Sequence, residues 1–160
     1  MNMKTITLKK IESFTINHQT LKKGLYISRA DGDIITYDLR TVTPNTGLYM
    51  GYDVIHTIEH LFATYIRSGE YGDDIIYFGP MGCRTGFYLI VRNHLSEQQV
   101  LDLVRETLEF IKTFHGKVPG ADPFECGNFR EHNLLGAINQ CVDYAEALKD
   151  WTVEKMVYPK

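Results

Sequence analysis

The stretch DVIHTIEHLFATYIRS, residues 53–68, decides how this 160-residue chain is laid out. Val54, Ile55, Ile58, Leu61, Phe62, Tyr65 and Ile66 recur at helical spacing, which predicts an amphipathic helix. Asp53 reads as its N-cap and Ser68-Gly69 as its stop. Inside it, HTIEH (56–60) stacks His56 and His60 one turn apart, with Glu59 beside the second. Two neutral imidazoles suit zinc or ferrous iron, and a carboxylate that is not a ligand can take a proton from bound water or substrate. On the motif alone, three polar residues on the wet face of an ordinary helix explain the pattern as well.

The flanking segments set the fold class. LYISR (25–29) and DIITYDLR (33–40) flank ADGD, a turn signal, and read as a hairpin. TVTPNTGLYMGY (41–52) carries a proline and two glycines and reads as an irregular connection. IIYFG (75–79) and GFYLIVR (86–92) are strand-like and joined by PMGCRT. Ser96 and Gln99 form a capping-box pattern for a helix to about His115. Residues 116–131 are loop by composition, and a last helix covers roughly 132–149. The order β-β-α-β-β-α-α predicts an α+β fold, an antiparallel β-sheet packed against helices, in a single domain over 1–160.

Charge and composition narrow the function classes. A net charge of -3 gives no reason to expect nucleic-acid binding. No apolar run approaches ~20 residues, so no membrane span is expected. The run MNMKTITLKKIESF lacks an apolar signal-peptide core, and the expected location is the cytoplasm. Three cysteines at irregular spacing make a poor disulfide framework.

Each thiol then has its own reading. Cys126, in PFECGNF beside Gly127, can approach a metal held on the helix, because glycine lets the backbone come close. Two histidines and one thiolate leave a fourth position open, as catalytic sites do. A small buried loop cysteine is the plain alternative. Cys83, in GPMGCRTGFY, lies among glycines and next to Arg84, which would favour the thiolate and make it reactive. Its plain alternative is a small core residue at a strand entrance. Cys141, near Leu134, Leu135, Ile138 and Val142, reads as core packing.

Together ESFTINH (12–18), YDLR followed by PN (37–45), HTIEHLFATYIRS (56–68), GPMGCRTGFY (79–88) and ECGN (125–128) resemble the S-ribosylhomocysteine lyase (LuxS) family, in its order and close to its spacing. The resemblance covers nearly the whole chain from about residue 11. It implies one divalent metal per subunit, ferrous iron natively with zinc or cobalt as substitutes, held by His56, His60 and Cys126. It implies a cytoplasmic homodimer with active sites at the interface. It also implies cleavage of the thioether of S-ribosylhomocysteine to homocysteine and dihydroxypentanedione, the precursor of autoinducer-2, and leaves open whether the purpose is quorum-sensing signalling or only recycling of the methyl cycle's by-product. Cys83 and Glu59 take the general acid/base roles by this resemblance. Arg40 matches an arginine that holds the thiolate and the sugar. Ser13 and His18 match residues that reach the substrate from the neighbouring subunit, although ESFTINH by itself reads as an ordinary surface strand.

Two positions depart from the family pattern. Tyr77 stands six residues before Cys83, where many members have an aspartate, with Asp73 and Asp74 out of register. Asn17 replaces an aspartate common before the N-terminal histidine. Neither change touches the metal or the proton carriers. Among rival readings, an HxxEH metallopeptidase would need a carboxylate third ligand, for which Glu106 or Glu109 is available. A non-catalytic metal-binding sensor would bind metal without turnover.

Overall fold

Two hairpins build the sheet. β1 (Gly24–Asp31) and β2 (Ile34–Arg40) pair antiparallel around a turn in which Gly32 takes a left-handed φ of 64°. β3 (Ile75–Pro80) and β4 (Gly86–Arg92) form the second hairpin, and β2 lies antiparallel to β4, giving the order β1-β2-β4-β3. With α1 (Tyr52–Ser68), α2 (Glu97–Thr113) and α3 (Leu134–Leu148), this is the expected α+β fold. The computed structural model describes residues 6–159, so the first five residues of the N-terminal run and both ends of the expected 1–160 domain lie outside it.

Strand alternation divides the sheet into two faces. Leu25, Tyr37, Leu39, Phe87, Leu89 and Val91 join a core with Ile58, Leu61, Phe62 and Ile66 of α1 and Val100, Leu101, Val104, Leu108 and Ile111 of α2. Burying each such side chain stabilises the fold by about 1.5–3 kcal/mol. Thr36, Asp38 and Arg40 alternate with Tyr37 and Leu39 and so take the opposite face. Ser96 and Gln99 make the full capping box predicted for α2. Among the described residues no helix is long and apolar enough to cross a membrane.

Four local expectations are corrected. Gly51 is the N-cap of α1, while Asp53 sits in the first turn, where its carboxylate takes the Val54 N–H and an N–H of the Asn133 side chain. α2 stops at Thr113, and α3 spans 134–148. Leu135 and Val142 face solvent, Leu135 at 70% exposure, whereas Cys141 beside them is buried as expected. The stretch ESFTINH is not a strand: it holds one 3-10 turn, Glu12–Phe14.

Candidate active site

α1 presents His56, Glu59 and His60 half-buried along one side, with Thr57 and Ile58 turned inward. The loop after α2 closes over them. His56 Nδ1 lies 3.0 Å from the Glu131 carbonyl, and His60 Nδ1 lies 2.7 Å from the Pro119 carbonyl. A carbonyl only accepts, so both rings carry their proton on Nδ1 and keep an unshared pair on Nε2. Cys126 Sγ comes 3.3 Å from His56 Nε2 and accepts a weak hydrogen bond from the Asn128 N–H at 3.4 Å. The ligand atoms of His56, His60 and Cys126 all lie within 4.8 Å of one another. Two imidazole lone pairs, each oriented by a backbone carbonyl, and one sulfur form a donor set that fits a borderline-soft divalent metal. Loop geometry is fitted to this arrangement too. Gly120 has φ +70°, and a Cβ there would stand 2.9 Å from His60 Nδ1.

A second cluster surrounds Cys83, which is exposed at the β3–β4 turn. Arg40 donates through Nε and Nη2 to the two Asp38 oxygens at 3.1 and 2.6 Å. Its Nη1 donates to Thr85 Oγ1 at 2.7 Å and lies 3.9 Å from Cys83 Sγ. Thr85 Oγ1 is itself 3.1 Å from that sulfur. Burial opposes the Arg40 charge, but Asp38 beside it outweighs burial and raises the Arg40 pKa. The neighbour in sequence behaves differently. Arg84, at φ +60°, turns away to the Tyr52 ring at 4.9 Å and the Met50 carbonyl at 3.4 Å. Arg40 on β2, and not the adjacent Arg84, is therefore the cation beside Cys83. The Arg84 contacts also seat this turn against Tyr52, one helical turn before His56.

Ser13 and His18 are not brought to either cluster. Ser13 lines a hollow of about 350 Å³ with Ser28, Thr36, Tyr88 and Ile90. His18 Nδ1 lies 2.9 Å from the Ile16 carbonyl. Glu109 pairs with Lys112 on α2, and neither it nor Glu106 joins the histidines, so the peptidase reading gains no third carboxylate ligand. The sequence reading overlooked His132. Its ring stacks on His56 with centroids 4.3 Å apart, and burial first, then His56 and His60, lower its pKa. The only local clue was its position just before Asn133, the N-cap of α3. Asp38 and Tyr158 were missed as well: the Tyr158 hydroxyl donates to Asp38 Oδ2 at 2.8 Å.

Comparison with known proteins agrees with this geometry. The chain is 42% identical over 158 residues to an S-ribosylhomocysteine lyase of Clostridium acetobutylicum, covering 96% of this chain and 100% of the relative. It is 42% identical to one from Phocaeicola vulgatus, covering 95% and 98%. It is 43% identical over 157 residues to one from Borreliella burgdorferi, covering 95% and 100%. The family model described as S-ribosylhomocysteinase (LuxS) matches residues 11–155, and with the His-His-Cys cluster inside that span, the chain belongs to the LuxS family.

Proposed function

We infer that this protein is an S-ribosylhomocysteine lyase, a carbon–sulfur lyase that releases homocysteine and dihydroxypentanedione, the autoinducer-2 precursor. The observation that carries the reading is the convergence of His56, His60 and Cys126, with both ring tautomers held by carbonyls, in a chain of this family. These three residues would hold one divalent ion, ferrous iron natively with zinc or cobalt as substitutes. When bound, such an ion supplies a positive charge that polarises carbonyl and hydroxyl oxygens of the sugar.

The remaining chemistry belongs to side chains. A thioether leaves readily when it stands β to a carbonyl and the carbon between them loses a proton. Ribose carries its carbonyl at the wrong carbon, so the carbonyl must first migrate by enediol steps. Each step moves protons on and off the sugar, and Glu59 and Cys83 are the proton carriers we assign. Arg40, fixed by Asp38 and Thr85, holds the Cys83 sulfur and binds sugar oxygens. Ser13 and His18 serve the site of a second subunit. Exposed Ile11 and Phe14 beside the Ser13 hollow support a homodimer formed across this face of the sheet. We read residues 1–160 as one lyase domain acting in the cytoplasm, where reducing conditions suit its three free thiols.

The test is thiol release from S-ribosylhomocysteine by anaerobic, iron-loaded protein, beside a Cys83→Ala variant. Wild-type protein is expected to release homocysteine, and the variant to be slower by about 10²-fold or more. No release by metal-loaded wild-type protein overturns the assignment. Sedimentation of the same preparation checks the dimer.

A further inference from the structure

Three imidazoles, not two, meet at the metal cluster. The His132 ring is nearly parallel to His56, with 20° between planes, and meets the His60 ring at 66°, with centroids 4.9 Å apart. Its Nε2 is buried and, among the described residues, is the one buried side-chain nitrogen or oxygen without a hydrogen-bond partner.

Thr57 determines which form of the ring is present. The single Thr57 hydroxyl proton goes to the Asp53 carbonyl at 2.7 Å, since that carbonyl only accepts. The Asn133 N–H donates to the same hydroxyl oxygen at 2.8 Å. His132 Nδ1, 3.2 Å from that oxygen, therefore meets a lone pair and carries the ring proton. Nε2 of the neutral ring is left as a bare acceptor. The three histidines are thus alike: each is fixed at Nδ1 by an oxygen acceptor and each keeps an unshared pair on Nε2.

A buried acceptor without a donor is destabilising and calls for an explanation. Direct ligation does not supply one, because His132 is outside the group whose ligand atoms lie within 4.8 Å of one another. We propose that His132 is a positioning residue of the metal centre. Its ring braces His56, and its Nε2 accepts a hydrogen bond from the solvent or sugar O–H that enters with the divalent ion. Thr57 and Asn133 hold it in the accepting form, which ties the entry of α3 to α1 at the ligand helix.

The proposal rests on His56, His60 and Cys126 being the ligands, so its test reads metal binding and not turnover. Wild-type, His132→Phe and Thr57→Val proteins are titrated with Co(II) against a chelating indicator, and the visible bands of the cobalt-loaded proteins are recorded. His132→Phe keeps a flat ring against His56 but removes both nitrogens, while Thr57→Val frees the ring from its tautomer lock. Expected for His132→Phe are Co(II) affinity weaker by about ten- to a hundredfold and shifted ligand-field bands. Thr57→Val is expected to change both in the same direction by less. Wild-type affinity together with wild-type bands in His132→Phe would overturn the proposal and leave His132 as packing. Should that variant not fold, Thr57→Val decides by the same readouts. Wild-type protein that binds no Co(II) overturns the ligand assignment, and the proposal with it.

Discussion

Asp38 and Arg40 stand two residues apart on β2, on the face away from the core, yet they are 0% and 1% exposed. Each buried charge is tolerable only because the other lies within 2.6 Å. Asp38→Ala strands the Arg40 charge and is expected to cost about 3–5 kcal/mol, read by urea unfolding. A cost below 1 kcal/mol would show that water already reaches the pair. Gly120 makes the corresponding case on the metal side. Its φ of +70° suits glycine, and a Cβ would press on His60. Gly120→Ala is expected to weaken Co(II) binding, read by indicator titration, and to lower the melting temperature of the metal-free protein as well, because alanine is strained at that φ. The sequence showed this glycine only as part of a loop, because nothing local announces a contact with residue 60.

At the level of elements, α3 packs against α1 at Gly136, where a Cβ would lie 2.6 Å from Val54 Cγ2. Alanine in a helix is ordinarily favoured over glycine by about 1 kcal/mol. Overpacking costs about 1–3 kcal/mol, so overlap wins and Gly136→Ala should destabilise. It should also disturb residues 131–133, which carry the Glu131 carbonyl and the His132 ring, and so weaken metal binding. Ser96→Ala is the contrasting change. It removes the α2 capping box and should cost about 1 kcal/mol, lowering the melting temperature by a few degrees with unchanged Co(II) affinity. Equal effects of both variants on metal binding would contradict the division of labour between α3 and α2.

Over the whole molecule, the C-terminal segment acts as a strap around the sheet edge. The Met156 carbonyl takes the Ile27 N–H of edge strand β1 at 2.8 Å. Trp151 Nε1 donates to the Leu25 carbonyl, and Tyr158 stacks on Tyr26 while reaching Asp38. Burial with the Glu97 charge raises the Tyr37 pKa to about 12, and burial raises that of the Cys141 thiol to about 12. Both groups hold their protons longer in the folded state than in the unfolded one. Above pH ~9 the unfolded chain therefore binds fewer protons, and stability falls with rising pH until about 12. Urea unfolding at pH 8, 9.5 and 11 should show this decline, reduced in Cys141→Ala. A flat profile would mean that these groups are reached by solvent.

Local patterns in the sequence determined the elements, the sheet's antiparallel character and the pairing of His56 with His60, because helical and strand periods relate residues only a few positions apart. The family motifs pointed to Cys126 and Cys83 through resemblance. Tertiary structure alone decided what surrounds them. It put the sulfur of Cys126, 70 residues from His56, beside that ring, and fixed the histidine tautomers through carbonyls of a distant loop. It turned Arg84 away to Tyr52, left Arg40, the arginine the resemblance had already named, 3.9 Å from the Cys83 sulfur, and sealed Asp38 under a tail 120 residues away. A tautomer or a buried ion pair depends on which acceptor the folded chain brings within 3 Å, and adjacent residues do not encode that.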